Sequence, residues 1–401
     1  MDNFTFYAER PNDSYRRTDP FFIVSVLLLW GLGIFTSFFC TSAKSEALTG
    51  GKYYYLTKQL IWSAIGMGLM IFITIFPMNK IRKYVPLVTL GTLFLCLLTF
   101  IPFISGTLNG SARWISIGSL TFQPSELAKF AMILFLANYF AKEEGEESGG
   151  RKNFIVPMTG LFVFVLIVLL QRDFSTAVLI FAVGLVIFFV AGAKLWWLFP
   201  FLGLALPAAF FLIFSENYRI SRIAAYFNPE NFSDGAGLQI LRSQNAISEG
   251  GFWGAGLGAG LAPIYRIPEL ITDYIFAGWA TALGFVGVVL YFIILVFFCI
   301  RAVRIAVSTP NYFASVGTFG CVFMIVVQSL VNCAVVCGVM PTTGIPLPFF
   351  STGGSSLIVT FIMCGFILNA SHCDAGTDFV RNYSNKNRDK ESFNGVVVEY
   401  E

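Results

Sequence analysis

Long apolar runs broken by short polar stretches dominate this chain from residue 21 onward. A bilayer's hydrocarbon core requires about 20 mainly apolar residues per helix. On that measure spans fall near 21–41, 59–78, 84–104, 124–141, 154–171, 175–193, 195–215, 274–300, 312–338 and 354–371. Between 154 and 215 only Gln171-Arg172-Asp173 and Gly192-Ala193-Lys194 separate three spans. The pattern predicts an all-α polytopic membrane protein of about ten transmembrane helices. A polar segment 1–20 precedes the membrane domain 21–372, and a polar, disordered tail occupies 373–401. Residues 1–20 are polar and the run after them is too long for a signal-peptide core, so the first span is retained.

The basic residues orient the helices. With residue 1 in the cytoplasm, sixteen of the 26 Lys and Arg fall on inside segments, nine on outside segments, and Lys129 within a span. The excess inside places both termini in the cytoplasm and fits an even number of helices. Composition agrees: 56% of the 401 residues are apolar and 12% charged, against roughly a quarter charged in soluble domains. The net charge of +3 carries no message, and nothing points to nucleic acid. The eight cysteines sit in or beside apolar runs without metal-ligand spacing and read as packing residues. The only histidine, His372, falls at the inner end of the last span and reads as inert.

Two outer segments are rich in polar residues: 105–123, and the long stretch 216–273 between spans seven and eight. Long loops carry function or structure of their own. Within the second, 239–247 has Ile240, Leu241 and Ile247 at helical spacing and predicts an amphipathic helix at the outer surface. The inner run KEEGEESGGRK at 142–152 reads as a solvated linker. The glycine-rich GFWGAGLGAG at 251–260 follows no strand and is not a dinucleotide fingerprint. There is no Walker sequence either.

Three segments carry candidate chemistry, because polar groups at membrane depth are costly. In the first, Asn109-Gly110-Ser111-Ala112-Arg113-Trp114 leads to Gln123-Pro124-Ser125-Glu126-Leu127-Ala128-Lys129. Glu126 and Lys129 share a helix face. Either Glu126 favours the helix start and Lys129 neutralises it, or Lys129 and Arg113 face an anionic ligand. In the second, Glu269, Thr272 and Asp273 end the long outer loop. Asp273 either caps the next helix or acts as a general base with its pKa raised by partial desolvation. In the third, Pro341-Thr342-Thr343-Gly344-Ile345-Pro346-Leu347-Pro348-Phe349-Phe350-Ser351-Thr352-Gly353-Gly354-Ser355-Ser356 bars regular helix. Irregular backbone at membrane depth survives only when buried in protein or facing a wet cavity.

Taken together, Gln123-Pro124-Ser125-Glu126 with Lys129, Pro268-Glu269 with Thr272-Asp273, and Gly344-Ile345-Pro346-Leu347-Pro348-Phe349 with Ser351 and Gly353-Gly354-Ser355 resemble the SEDS family of FtsW, RodA and SpoVE over about residues 20–372. The resemblance implies a ten-helix enzyme that polymerises lipid II into glycan strands outside the cytoplasmic membrane. It also implies an essential outer-loop aspartate at Asp273 and a class B penicillin-binding protein as partner within a divisome or elongation complex. The polar extensions at both ends favour an FtsW-like, septal role. Substrate-binding candidates are Arg113, Gln123, Ser125, Glu126, Lys129, Asp173, Arg219, Gln239, Arg242, Ser243, Glu269, Thr272, Ser351 and Ser355. A divalent cation, Mg2+ or Mn2+, is a possible cofactor, although no ligand cluster is visible.

Two departures stand out against the family pattern. Thr281 and Ala282 occupy the place of a glutamate pair before Leu283-Gly284. Gln171-Arg172-Asp173-Phe174-Ser175-Thr176 replaces Gln-Pro-Asp-Leu-Gly-Thr. Rival readings are a flippase moving lipid II and a scaffold recruiting a partner synthase.

Overall fold

The computed structural model describes residues 18–49, 51–101, 105–108, 111–117, 120–145, 154–193, 203, 207, 214, 216–232, 235–257 and 264–372. It is mostly helical. We label the helices α1 (Pro20–Thr49), α2 (Tyr54–Ile75), α3 (Met78–Leu98), α4 (Pro124–Gly145), α5 (Ile155–Leu170), α6 (Phe174–Val190), α7 (Asn217–Phe227), α8 (Ala236–Gly250), α9 (Ile275–Ser308), α10 (Tyr312–Val336) and α11 (Gly354–His372). Among the described residues α1, α2, α3, α9, α10 and α11 are long and apolar enough to cross a membrane, and α5 and α6 are shorter apolar helices. The span expected at 195–215 lies outside the described residues apart from three isolated positions, as do the N-terminal segment before 18, most of the linker and the tail. The charge run at 142–152 begins inside the last turn of α4.

An all-helical chain is not what the fold delivers. Three short strands, β1 (Ser105–Leu108), β2 (Ser111–Ile117) and β3 (Leu120–Phe122), pair in order as an antiparallel sheet. Ile115 pairs with Ser105 on one side and Phe122 on the other. Ile115 is buried while Trp114 and Ser116 are partly exposed, the period of two that a pleated strand imposes. These strands are too short to register in a pattern read for spans.

The centre of the bundle is built from α4, α10 and α11, with α2 against α11, α3 against α4, α6 against α10, and α1 against both α2 and α9. Small residues allow close approach: a Cβ on Gly365 of α11 would stand 2.6 Å from the Met70 carbonyl oxygen of α2. Outward faces are apolar. Phe72 and Ile75 on α2, Leu87, Leu90 and Phe94 on α3, and Ile293 and Val296 on α9 are all more than half exposed. Water would penalise so large an apolar surface; lipid would not.

The ends of α9 and α11 remote from the irregular loop are tied to the start of α1. Asp19 accepts from the Phe21 and Phe22 amides (3.0 and 3.1 Å) and pairs with Arg301 at 2.5 Å. His372 is not isolated, since its Nε2 lies 2.6 Å from Thr18 Oγ1. The seven described cysteines are free and most are buried, as packing residues would be.

The predicted amphipathic helix is α8, extending three residues beyond its expected limits at each end. Its apolar side does not lie on a membrane surface: Ile240 and Ala246 are buried and α8 packs on α9. The glycine-rich stretch after it repairs a break in α9. Gly284 has φ 63°, so the helix loses its backbone ladder there. Loop residues 250–257 supply partners: Ala255 N donates to Thr281 O (2.9 Å), Gly256 N to Ala282 O (3.2 Å), and Phe285 N to Gly251 O (3.0 Å). Unpaired backbone groups at membrane depth are expensive, and the loop removes that cost.

Candidate active site

Asp273 sits in a turn just before α9. The Glu269 carbonyl accepts from the amides of Thr272 (3.2 Å), Asp273 (3.1 Å) and Tyr274 (3.3 Å), and Glu269 itself has φ 53°. The loop between α10 and α11 clamps this turn. Ser351 Oγ donates to Thr272 O (2.5 Å) and accepts from Leu347 N (2.8 Å), and Thr352 donates to Ile271 O. The residue preceding α9 is Tyr274, and no side chain caps the helix. Of the two roles open to Asp273, helix capping is therefore not the one adopted. Its carboxylate is half-buried and faces a cavity.

The opposite wall is organised around Asp173. This residue does cap a helix, accepting from Thr176 N at 3.4 Å at the start of α6. Its Oδ2 accepts from Gln123 Nε2 (3.0 Å) and Ser125 Oγ (3.2 Å), and Arg113 Nη1 lies 3.9 Å from Oδ1. Arg113 also donates to the Arg172 carbonyl, and Gln123 N donates to Ser355 Oγ (3.1 Å). The turn that lacks the family's proline and glycine is held by the residues around it. Arg172 adopts φ 62°, and Gln171 Nε2 donates to Cys96 O and Thr99 Oγ1 (2.9 and 3.0 Å).

A third wall comes from α7. Arg222 donates to Thr342 O at 3.0 Å and lies over the Tyr218 ring; Arg219 lies over Phe174. The three walls enclose a cavity of about 800 Å3. Four arginines (113, 172, 219, 222) and four carboxylates (Asp173, Glu216, Glu269, Asp273) line it. A side cavity of about 230 Å3 shares the arginines but adds Phe174, Ile223 and Pro341. An anionic group carrying an apolar chain matches that lining.

Burial pushes the Asp273 carboxyl up to about 6, reinforced by Glu269 and, more weakly, Asp173, and opposed by Arg222 and a hydrogen bond from Thr272. Asp273 lies outside the helix that follows, in the cavity wall. A carboxylate titrating there remains ionised at neutral pH and is a better proton acceptor than an ordinary aspartate.

Of the residues singled out from sequence, Arg113, Gln123, Asp173, Arg219, Gln239, Glu269, Thr272, Asp273 and Ser355 meet at this cavity. The others stand behind it. Ser125 and Ser351 hold Asp173 and Thr272 as described. Ser243 ties α8 to the Val336 carbonyl at 2.8 Å, and Arg242 is off the wall. Glu126 and Lys129 pair with each other at 2.7 Å, 3% and 2% exposed, and Lys129 Nζ reaches Gln328 Oε1 at 2.8 Å. The expectation that Lys129 meets a ligand is corrected: its three-residue spacing from Glu126 satisfies it inside the bundle.

Sequence reasoning missed Arg222, Glu216 and Arg172. The Arg219–Arg222 spacing, one helical turn, was the available signal. Thr281 and Ala282, in place of the glutamate pair, are buried and off the cavity wall; Thr281 Oγ1 donates to Ala277 O. Among the described residues no three His, Cys, Asp or Glu side chains converge as metal ligands.

A bundle of apolar helices with a charged cavity closed by irregular backbone defines an integral membrane protein with a candidate active site at the ends of its helices. The chain belongs to the FtsW/RodA/SpoVE family, described as cell cycle proteins, which matches residues 20–375. The probable peptidoglycan glycosyltransferase FtsW of Geobacter sp. (strain M18) is 35% identical over 356 residues, 88% of this chain and 96% of that one. Stage V sporulation protein E of Bacillus subtilis (strain 168) is 34% identical over 359 residues, covering 89% and 98%. Among solved structures, a chain of a peptidoglycan synthase complex superposes with TM-score 0.73 at 26% identity, covering 88% and 97%. The rod shape determining protein RodA of Thermus thermophilus gives 0.66 at 25%, covering 90% and 98%.

Proposed function

We infer that this chain is a peptidoglycan glycosyltransferase that joins lipid-pyrophosphate-linked disaccharides, lipid II, into glycan strands at the outer face of the cytoplasmic membrane. The observation that carries the reading is Asp273, its carboxylate on the wall of a polar cavity across from four arginines. Asp273 takes the proton from the acceptor sugar hydroxyl as that oxygen bonds to the donor's anomeric carbon. The anomeric C–O bond breaks, and the electron pair leaves on the lipid pyrophosphate. Arg113, Arg172, Arg219 and Arg222 offset the charge that develops there, the electrostatic contribution that is usually largest in such sites. The side cavity, where arginines meet Phe174, Ile223 and Pro341, suits the point at which pyrophosphate joins its lipid.

In this reading ten helices cross the membrane, the seventh within 195–215, with both termini in the cytoplasm and 216–273 outside. The positive-inside bias supports that orientation. Likeness to a chain of a peptidoglycan synthase complex supports a crosslinking penicillin-binding protein as partner, at the septum or along the side wall.

Purified protein, with and without its partner, is incubated with labelled lipid II, and liposomes report lipid movement in parallel. Polymer formation is expected. Lipid transfer across liposomes without polymer would instead identify a flippase. Polymer only from the partner would identify a scaffold.

A further inference from the structure

We propose that Asn332 of α10 is a positioning residue for Asp273: its carboxamide fixes where the carboxylate stands by holding the backbone on both sides of the cavity's edge. The proposal rests on the reading of Asp273 as general base.

Asn332 is 1% exposed. Its Nδ2 donates to Asp273 O at 2.8 Å and to Ile345 O at 2.8 Å. One amino group thus joins the turn before α9 to the loop between α10 and α11. Asp273 lies ahead of its helix, and Ile345 lies between Gly344 and Pro346, where no helix forms. The residue before Ile345 borders the acid: Gly344 has φ 75°, and a Cβ there would stand 3.5 Å from Asp273 Oδ2. Asn332 therefore sets both the stem of the carboxylate and the surface that it faces.

Its neighbours on α10 repeat the theme. One turn earlier, Gln328 Nε2 donates to Pro346 O at 2.9 Å, and Gln328 is braced by Lys129. An asparagine inside an apolar helix is costly unless its polar atoms are used. Here both donor hydrogens go to irregular backbone at the site, not to another helix, while the buried Oδ1 has no hydrogen-bond partner among the described residues. Ser351 adds a second tie through Thr272 O.

Displacing Asp273 alters more than reach. Glu269 from its own turn, Arg222 from α7, Asp173 from the start of α6 and the Thr272 hydroxyl all act on it. A carboxylate that relaxes toward water becomes harder to protonate.

The test is the pH dependence of lipid II polymerisation by full-length purified Asn332→Ala, with rates expressed per folded molecule. The expected result is a fall in kcat of about 10- to 100-fold, the scale of a misplaced catalytic group. KM should stay within about threefold, with the acid limb displaced to lower pH. A merely structural role would reduce the folded yield and leave both kcat per folded molecule and the acid limb unchanged, and that result overturns the proposal. If Asn332→Ala does not fold, Asn332→Ser, whose hydroxyl offers one donor hydrogen instead of two, should move the limb the same way with a smaller loss; an unchanged profile there overturns the proposal equally. Asp273→Asn run alongside separates the two ideas. If it polymerises, the general-base reading fails and takes this one with it. If it is inactive while Asn332→Ala keeps the wild-type profile, only the positioning role fails.

Discussion

Replacing Lys129 by methionine asks whether a buried cation serves the fold or the substrate. Lys129 Nζ is 2.7 Å from Glu126 Oε2 and 2.8 Å from Gln328 Oε1, with both charged side chains nearly free of solvent. Methionine fills similar space and adapts to its surroundings, so packing changes little. What disappears is the countercharge of a carboxylate that water does not reach. Breaking one partner of such a pair costs about 3–5 kcal/mol, and the freed Gln328 acceptor adds about 1 kcal/mol. Lys129→Met is therefore expected to lose at least about 3 kcal/mol. The double variant Glu126→Gln with Lys129→Met should recover much of that loss, because a neutral pair of similar volume is tolerated. Reversible SDS unfolding in detergent micelles, run on the four members of the double-mutant cycle, measures the coupling. KM for lipid II should stay near wild type in whatever protein folds. A single variant as stable as wild type, but with a strongly raised KM, would place the ammonium on the substrate and refute the reasoning.

Other outcomes follow from the same geometry. The Asp273 carboxyl, at about 6 instead of 3.8, holds its proton more tightly folded than unfolded, so ionisation above pH 6 opposes folding by at most about 3 kcal/mol. Asp273→Asn should thus raise the unfolding midpoint at pH 7.5, with an advantage that shrinks as pH falls from 6 toward 4; a lowered midpoint at pH 7.5 would contradict this. Arg222→Ala removes one of four cavity cations and the donor to Thr342 O. It should cut kcat/KM for lipid II about 100-fold, with Arg222→Lys recovering only part because a point charge replaces the fork. Gly284→Ala puts a Cβ 2.4 Å from Gly254 N at φ 63°. It should cost about 1–3 kcal/mol and expose the 251–257 loop to proteolysis; an unchanged midpoint and cleavage rate would argue against the loop's role in bridging the helix break.

Much of the helical layout was legible because span-forming runs obey a length rule that needs no tertiary information. The runs at 124–141, 154–171, 175–193 and 312–338 match α4, α5, α6 and α10 to within a few residues. The third helix starts earlier than read, at Met78, because Lys80, Arg82 and Lys83 are helical despite their charge. Asp273 was legible because an acid at a loop-to-helix junction has few roles. What sequence alone did not reveal depends on which surfaces meet. Lys129 looked like a ligand group because Gln328 is 199 residues distant. Arg222 was overlooked because nothing local says that α7 folds over Thr342. The glycine-rich run had no visible purpose because its partner, the broken backbone at Gly284, exists only once α9 forms.

The most direct test is lipid II polymerisation by wild type and Asp273→Asn from pH 5 to 8, with folding of both checked. The account predicts that wild-type activity falls as pH drops through about 6, where Asp273 takes up its proton, and that folded Asp273→Asn makes no polymer at any pH. Polymer from that variant at rates near wild type would contradict it.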